Sequence, residues 1–429
     1  MTEIRNSPGE GNRRRAVITG IGPITASGIG VEDFSEGLKG ARSPVRTIDR
    51  FDVSTFSSRI AAHVEGFEAA DYLDAREARR LDRFGQFTLA ATLMALEDAG
   101  LDPATVDPPR GAILMGSALG GISQAEEQVY VFQEGGLKAV NPRLALHVFS
   151  GAASSQAAIL TGFTGPNSTN AMSCASGAMA IGEAWRHIVN GRADVALAGG
   201  AEAPLAPLTF GAFALIKAMS TRNDDPAAAC RPFDQERDGF VMGEGACILV
   251  LEEESHARDR GARIYARLSG YGSSSDAHHM TSPRPDGTSA ARAMTEALDS
   301  AGLTPEDIDH VNAHASSTPL NDAAESRVIR MVLGSRAEQV PVTGTKPYYG
   351  HALGASGAIE AAVVALGMTN GWIPPTLNLE HPGEDCDLAY VQLDGGPPGR
   401  EAKLRHALSN SFGFGGINAC LVVSGSGEG

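Results

Sequence analysis

RAVITGIG (residues 15–22) is a short apolar run ending in glycines, and ARIYARLSGYG (262–272) answers it in the second half of the chain. The first reads as a buried strand and a tight turn, the second as a strand. Working outward, LDAREARRLDRFGQFTLAATLMALEDAG (73–100) carries apolar residues at helical spacing in its second half and closes on Gly100. GAILMGS (111–117), DVALAGGAEAP (194–204) and ACILVLEE (246–253) read as buried strands. Further on, IDHVNAHASS (308–317) answers the strand at 111–117, and a helix opening near Ser356 answers one opening near Cys174. HALSNSFGFGGINACLVVSG (406–425) closes on two strands, as the first half does. Short apolar strands alternating with helices indicate an α/β protein with buried sheets. The loose repeat implies two similar halves, 15–258 and 259–425, packed as one body behind a disordered polar lead, 1–14.

The 429 residues contain 35 Lys plus Arg against 51 Asp plus Glu, a net charge of −16. At 42% apolar residues, a core is available and global disorder is excluded. The acidic balance argues against nonspecific binding to nucleic acid or to anionic membrane. Cys174, Cys230, Cys247, Cys386 and Cys420 are scattered, with no C-x-x-C pair. That suits a reducing compartment and excludes a Cys-based zinc site. Residues 1–14 lack the apolar region of a signal peptide, and no run of eighteen apolar residues occurs, so a cytoplasmic protein without a membrane span is expected.

The sharpest local signal is NAMSCASGAMAIGEAWRHI (170–188), which sets Cys174 among small residues at the start of a helical pattern. A helix N-terminus lowers a thiol pKa and favours a nucleophilic thiolate, although taken alone an inert buried cysteine fits as well. His314, in VNAHASSTPLND (311–322), and His351, in TGTKPYYGHALGASG (343–357), lie in loops rich in small and hydroxyl residues, the pattern of strand-end active-site loops. An imidazole there could donate to an oxyanion or, as imidazolium, stabilise a thiolate. The adjacent His278 and His279 point to opposite faces of a strand and do not suit a metal. GIGPIT (20–25) fails the dinucleotide fingerprint, since Thr25 replaces its third glycine. FGFGG (412–416) could cradle an anion, but no Lys-Ser/Thr follows; its Phe412 and Phe414 could instead gate a pocket.

Together SCASGAMAIGEA, RPFDQERDGFVMGEGA, NAHASSTPLND, TKPYYGHALGASGAIEA and NSFGFGGINA, in register from about residue 14 to 424, closely resemble β-ketoacyl-[acyl carrier protein] synthases of the type II elongating class. The resemblance implies a thiolase fold: two αβαβα halves stacked into five layers, in a dimer. It implies that Cys174 accepts the acyl chain and that His314 and His351 support malonyl decarboxylation and hold the enolate. Lys346 matches a lysine that orders the site, and Glu360 its ion-pair partner. The N–H groups of Cys174 and Phe414 match an oxyanion hole, and Phe414 also matches a gating aromatic. Ser316 and Thr318 match hydroxyls that hold phosphopantetheine, which the acyl carrier protein supplies; no tightly bound cofactor and no metal is implied. Leu119 matches an acyl-pocket position near the dimer contact.

The pattern departs at Ala315-Ser316, where Gly-Thr is usual, at Ala26-Ser27 before Gly28, where Pro-Leu is common, and at Ile417, where Thr is usual. These point to a specialised chain such as a polyketide or polyene. The implied reaction is decarboxylative condensation of an acyl chain with malonyl carrier, in fatty acid or type II polyketide elongation. The alternatives are the ketosynthase subunit of a heterodimer with a chain-length partner and, beyond that, a non-catalytic subunit that shapes a pocket. The last leaves Cys174, His314 and His351 without purpose. A thiolase would need a second active-site cysteine, whereas Cys420 reads as core and Cys386 as loop. Acyl carrier proteins are acidic, which the net charge opposes; Arg76, Arg79, Arg80, Lys138 and Lys217 match a basic rim that could steer one locally.

Overall fold

The computed structural model describes residues 14–393 and 398–427. The strands that build the body are β1 (Ala16–Thr25), β2 (Gly111–Gly116), β3 (Asn167–Asn170), β4 (Val195–Glu202), β5 (Gly245–Glu253), β6 (Ala266–Ser275), β7 (His310–Asn312), β8 (Val342–Thr343), β9 (His406–Gly413) and β10 (Ile417–Ser424). The helices that cover them are α1 (Arg83–Ala99), α2 (Ala152–Thr161), α3 (Ser176–Val189), α4 (Thr288–Ala301), α5 (Pro319–Leu333) and α6 (Ser356–Asn370).

The strand order is β3-β2-β4-β5-β1 in the first half and β6-β10-β9-β7-β8 in the second. The parallel and antiparallel neighbours recur in the same places. The repeat that is faint in sequence is therefore strong in topology. The two half-sheets join where β1 pairs antiparallel with β6 over Ala16–Ile18 against Ala266–Leu268. They form one hydrogen-bonded sheet across that seam. Around it, α1 packs on β1 and β5, and α4 on β6 and β10. Helices α3 and α6 lie between the half-sheets, in one apolar cluster drawn from both halves. The stack therefore has five layers, helix, sheet, helix, sheet, helix.

Two details correct the local reading. Gly20 and Gly22 sit inside β1, which continues to Thr25, and form no turn. A Cβ on Gly22 would lie 2.0 Å from the Ala91 carbonyl oxygen of α1, so the glycines answer to a close helix. Gly270 and Gly272 in β6 face α4 in the same way, and each strand slips register by one bulge just before its first glycine. Arg14, placed in the disordered lead, is tied to Asp194 and to the carbonyls of Ile188 and Ala193. The remainder of that lead, residues 1–13, lies outside the described residues. Among the described residues, Leu353–Asn370 alone is long and apolar enough to cross a membrane by length and composition; 83% of it is buried as the α6 layer.

Candidate active site

Cys174 sits in the 3₁₀ turn Ser173–Ala175, which runs directly into α3. His314 follows β7, Lys346 and His351 lie between β8 and α6, and Phe412 and Phe414 belong to the hairpin of β9 and β10. The seam between the half-sheets brings these loops to one cavity of about 420 Å³. Cys174, His314, His351, Ser316, Thr318, Leu119, Phe412, Phe414 and Lys217 all line it. The Cys174 side is apolar, through Leu353, Phe240, Leu119 and Phe213. Ser316, Thr318, Asn321 and Asn418 line other parts of the wall.

His351 Nε2 lies 3.1 Å from the Cys174 sulfur, and its Nδ1 is 2.9 Å from the Ser356 hydroxyl. The His314 and His351 rings are 5.2 Å apart, edge to face. Lys346, fully buried, pairs with Glu360, donates to the His314 carbonyl, and comes within 3.4 Å of His314 Nδ1. An ammonium has only hydrogens to give, so Nδ1 must accept and the His314 hydrogen resides on Nε2. The Oε2 of Glu360 has no hydrogen-bond partner.

The expected low-pKa thiol is not what the site provides. Burial is the largest influence on Cys174 and pushes its thiol up; the Ser173 hydroxyl, the Phe414 N–H and Lys346 pull the other way. The turn places the sulfur in a dry pocket, where desolvation outweighs the helix terminus. Burial, with Lys346 second, holds both histidines well below the usual imidazole range. All three shifts favour the neutral forms, a thiol beside two imidazoles.

Ser316 and Thr318 hydroxyls are 2.9 Å apart. Ala315 adopts φ +45°, a glycine-like conformation, and its methyl is accommodated because Gly344 opposite has no side chain. Ile417 opens β10 opposite Ser275 and Gly413. Of the basic rim, only Lys217 reaches the cavity; it is exposed there. Arg76, Arg79 and Arg80 are exposed on and just after the short helix Ala75–Ala78, and Lys138 is exposed after the helix Ile122–Gly135. None of these four lines the cavity.

Sequence reasoning missed Glu325, Ser356 and Glu202. Glu325 is buried on α5 and accepts the N–H groups of His314 and Ala315, both at 2.8 Å, and the Asn410 amide at 3.2 Å. Burial pushes Glu202, Glu325 and Glu360 each up to about 7. The one available signal was an acidic residue inside an apolar pattern: Glu325 shares a helix face with Val328 and Ile329, and Glu202 ends VALAGGAE.

Residues 13–257 match the β-ketoacyl synthase N-terminal domain, and residues 265–380 the β-ketoacyl synthase C-terminal domain. The chain is 42% identical over 412 residues to 3-oxoacyl-[acyl-carrier-protein] synthase 2 of Synechocystis sp., covering 96% of this chain and 98% of that protein. It is 42% identical over 418 residues to a putative polyketide β-ketoacyl synthase 1 of Streptomyces halstedii, again 96% and 98%. Among solved structures, the ishigamide ketosynthase/chain length factor superposes with a TM-score of 0.90 at 35% identity, covering 97% of this chain and 100% of that one.

Proposed function

Because the chain belongs to the β-ketoacyl synthase family, we propose that it condenses an acyl chain held on Cys174 with malonyl-acyl carrier protein, releasing CO₂ and a 3-oxoacyl carrier. The observation that carries this reading is the 3.1 Å contact between Cys174 and His351, with His314 on the same cavity. In the first step His351 Nε2 takes the thiol proton as sulfur attacks the acyl thioester. The N–H groups of Cys174 and Phe414 stabilise the tetrahedral oxyanion, and the pantetheine thiol leaves with the proton. In the second, the malonyl thioester oxygen accepts from His314 Nε2–H and from His351 while the carboxylate departs as CO₂. The enolate carbon then attacks the acyl-cysteine, the C–S bond breaks, and the released Cys174 thiolate takes up one proton from solvent, the first having left with the pantetheine thiol. The Ser356 hydroxyl can accept from or donate to His351 Nδ1, so it holds the ring in either tautomer.

The pantetheine arm is assigned to Ser316 and Thr318, and the acyl chain to the apolar side by Leu119. Phe414 and Phe412 gate the cavity. Lys217, with Arg76, Arg79, Arg80 and Lys138 further out, receives the acidic carrier. The two halves, 15–258 and 259–425, divide the work: the first supplies the sulfur and the second both histidines. The five cysteines are free and buried, in keeping with work in the reducing cytoplasm.

The partner is a second copy of the chain or a chain-length-factor-like protein. Strand β3 ends the sheet, and Tyr130, Phe132, Phe149 and Ile159 are among the exposed large apolar side chains, the kind that dimers bury. The likeness to a ketosynthase/chain length factor structure favours the heterodimer as a second reading. Mass spectrometry decides the main one. Acyl-carrier donors should add an acyl group to Cys174, and malonyl carrier should then discharge it with loss of CO₂. An unmodified Cys174 would overturn it. Co-purification separates a homodimer from a heterodimer.

A further inference from the structure

Glu202 has no part in the chemistry above, yet it sits beside it. It ends β4, fully buried, and its carboxylate takes four hydrogen bonds. Oε2 accepts from Ala118 N–H at 2.6 Å and Gly354 N–H at 2.9 Å; Oε1 accepts from Leu119 N–H and the Ser117 hydroxyl, each at 3.1 Å. Three of the four partners are N–H groups, which can only donate, so the ionised carboxylate satisfies the set in full; a carboxylic O–H would find an acceptor only in the Ser117 hydroxyl and would take that bond from the clamp. No basic side chain pairs with it among the described residues.

Those donors belong to two loops from different halves. Residues 117–119 follow β2 and carry Leu119 to the cavity wall. Residues 351–355 lead from His351 into α6, with Leu353 on the same wall at φ +41°. Gly354 admits the carboxylate because it has no side chain: a Cβ there would lie 2.4 Å from Ala118 N and 2.6 Å from Glu202 Oε2. On its other side, the His351 backbone is held by Val241 O at 2.7 Å and Gly243 N at 2.9 Å. The loop that sets the Cys174–His351 distance is thus clamped at both ends, and Glu202 is one clamp.

We propose that Glu202 is a positioning residue: its carboxylate fastens the His351 loop to the Leu119 loop and so sets both the base and the acyl-chain wall against Cys174. This rests on the ketosynthase reading. The titratable groups facing it are the Cys174 thiol, which its charge pushes up, and His351 on the clamped loop. Strand β2 and loop 117–121 carry no titratable side chain. On β5 its partner is Gly245, and the adjacent Glu244 is neutralised by Arg50 and Arg83. Burial brings Glu202 up to about 7, so acid should unfasten the loops as pH falls through neutrality.

Glu202→Gln keeps the size but turns one acceptor into an NH2 donor that must face at least one backbone N–H, Leu119 on one side or Ala118 and Gly354 on the other. Condensation is measured with short and long acyl-carrier donors across about pH 5.5 to 8.5, with a thermal melt of each protein. The expected result is a kcat about tenfold lower, a changed preference between the two chain lengths, and loss of the Glu202 contribution to the acid limb. Ser117→Ala, which removes one donor and leaves the charge, should shift the acid limb to higher pH. Wild-type kcat and pH profile in Glu202→Gln would overturn the proposal; so would an equal loss for both chain lengths with an unmoved limb. If Glu202→Gln does not fold, Ser117→Ala decides, and an unmoved limb is negative. A wild-type protein that does not condense fails the ketosynthase reading instead; the pH dependence of Cys174 alkylation then carries the Glu202 test.

Discussion

SCASGA (173–178) and LGASGA (353–358) enter α3 and α6 along one path, and their difference locates the chemistry. Each begins with a non-glycine residue at positive φ, Ser173 at 52° and Leu353 at 41°, and passes through a 3₁₀ turn. Each then starts its helix with a buried serine followed by a glycine that lets the two helices touch. A Cβ on Gly357 would lie 2.8 Å from Ala178 Cβ, and one on Gly177 2.9 Å from the Gly354 oxygen. At the second position the copies part. Cys174 projects a sulfur into the cavity, whereas Gly354 offers only an N–H, taken by Glu202. The serines part as well: Ser176 returns to the Ser173 carbonyl at 2.7 Å, and Ser356 reaches His351. One backbone, used twice, presents the nucleophile in one copy and anchors the base in the other.

The largest test removes what only the first copy has. Cys174→Ala should abolish acyl transfer and lower condensation by about a thousandfold or more, read as 3-oxoacyl carrier formed. Retained condensation would mean the sulfur is not the acyl acceptor. Next, His351→Ala removes what only the second copy leads to. Transfer to Cys174 should slow by about a hundredfold, measured as single-turnover acylation, with the melting temperature changed far less than the rate. An unaltered acylation rate would leave the 3.1 Å contact without a role.

A third test asks whether the copies are interchangeable. Gly354→Ala would press a methyl into backbone at Ala118 and into the Glu202 carboxylate, which cannot both yield. Overpacking of this kind costs about 1–3 kcal/mol, read from chemical denaturation. A neutral result would show that the anchor side of the repeat is looser than its contacts imply.

The strands, the repeat and the two helix entries were legible because periodicity and small-residue runs are local properties. The site residues were legible as a set of motifs, and Cys174, His314 and His351 do converge. What stayed hidden depends on distant parts of the chain. Gly20 and Gly22 look like a turn until α1 arrives on β1. Glu202 and Glu325 stand out only as carboxylates within apolar patterns, and their partners stay hidden because only the fold brings the N–H groups of loops 117–119, 314–315 and 354 to them. The thiol pKa was misjudged for the same reason: a helix start is visible in sequence, but the burial that outweighs it is not.

The smallest effect separates backbone from side chain at the first shared position. Ser173→Gly relieves a positive φ worth about 1 kcal/mol, and loses about as much through the freer unfolded chain, so stability should hardly change. Leu353 tolerates the same φ with no hydroxyl, which argues that the strain belongs to the helix entry and not to the chemistry. The Ser173 hydroxyl, 3.8 Å from the sulfur, does act on the thiol, pulling against burial. Without it the raised Cys174 thiol should rise further, so less thiolate is present at any given pH. Alkylation by iodoacetamide in the wild type should therefore climb with a midpoint above the ~8.5 of a free cysteine, and in Ser173→Gly it should be slower by a few fold near pH 8. A wild-type midpoint below that of a free thiol would return the advantage to the helix terminus. An unchanged rate in the variant would reduce Ser173 to the same purely conformational part that Leu353 plays in the other copy.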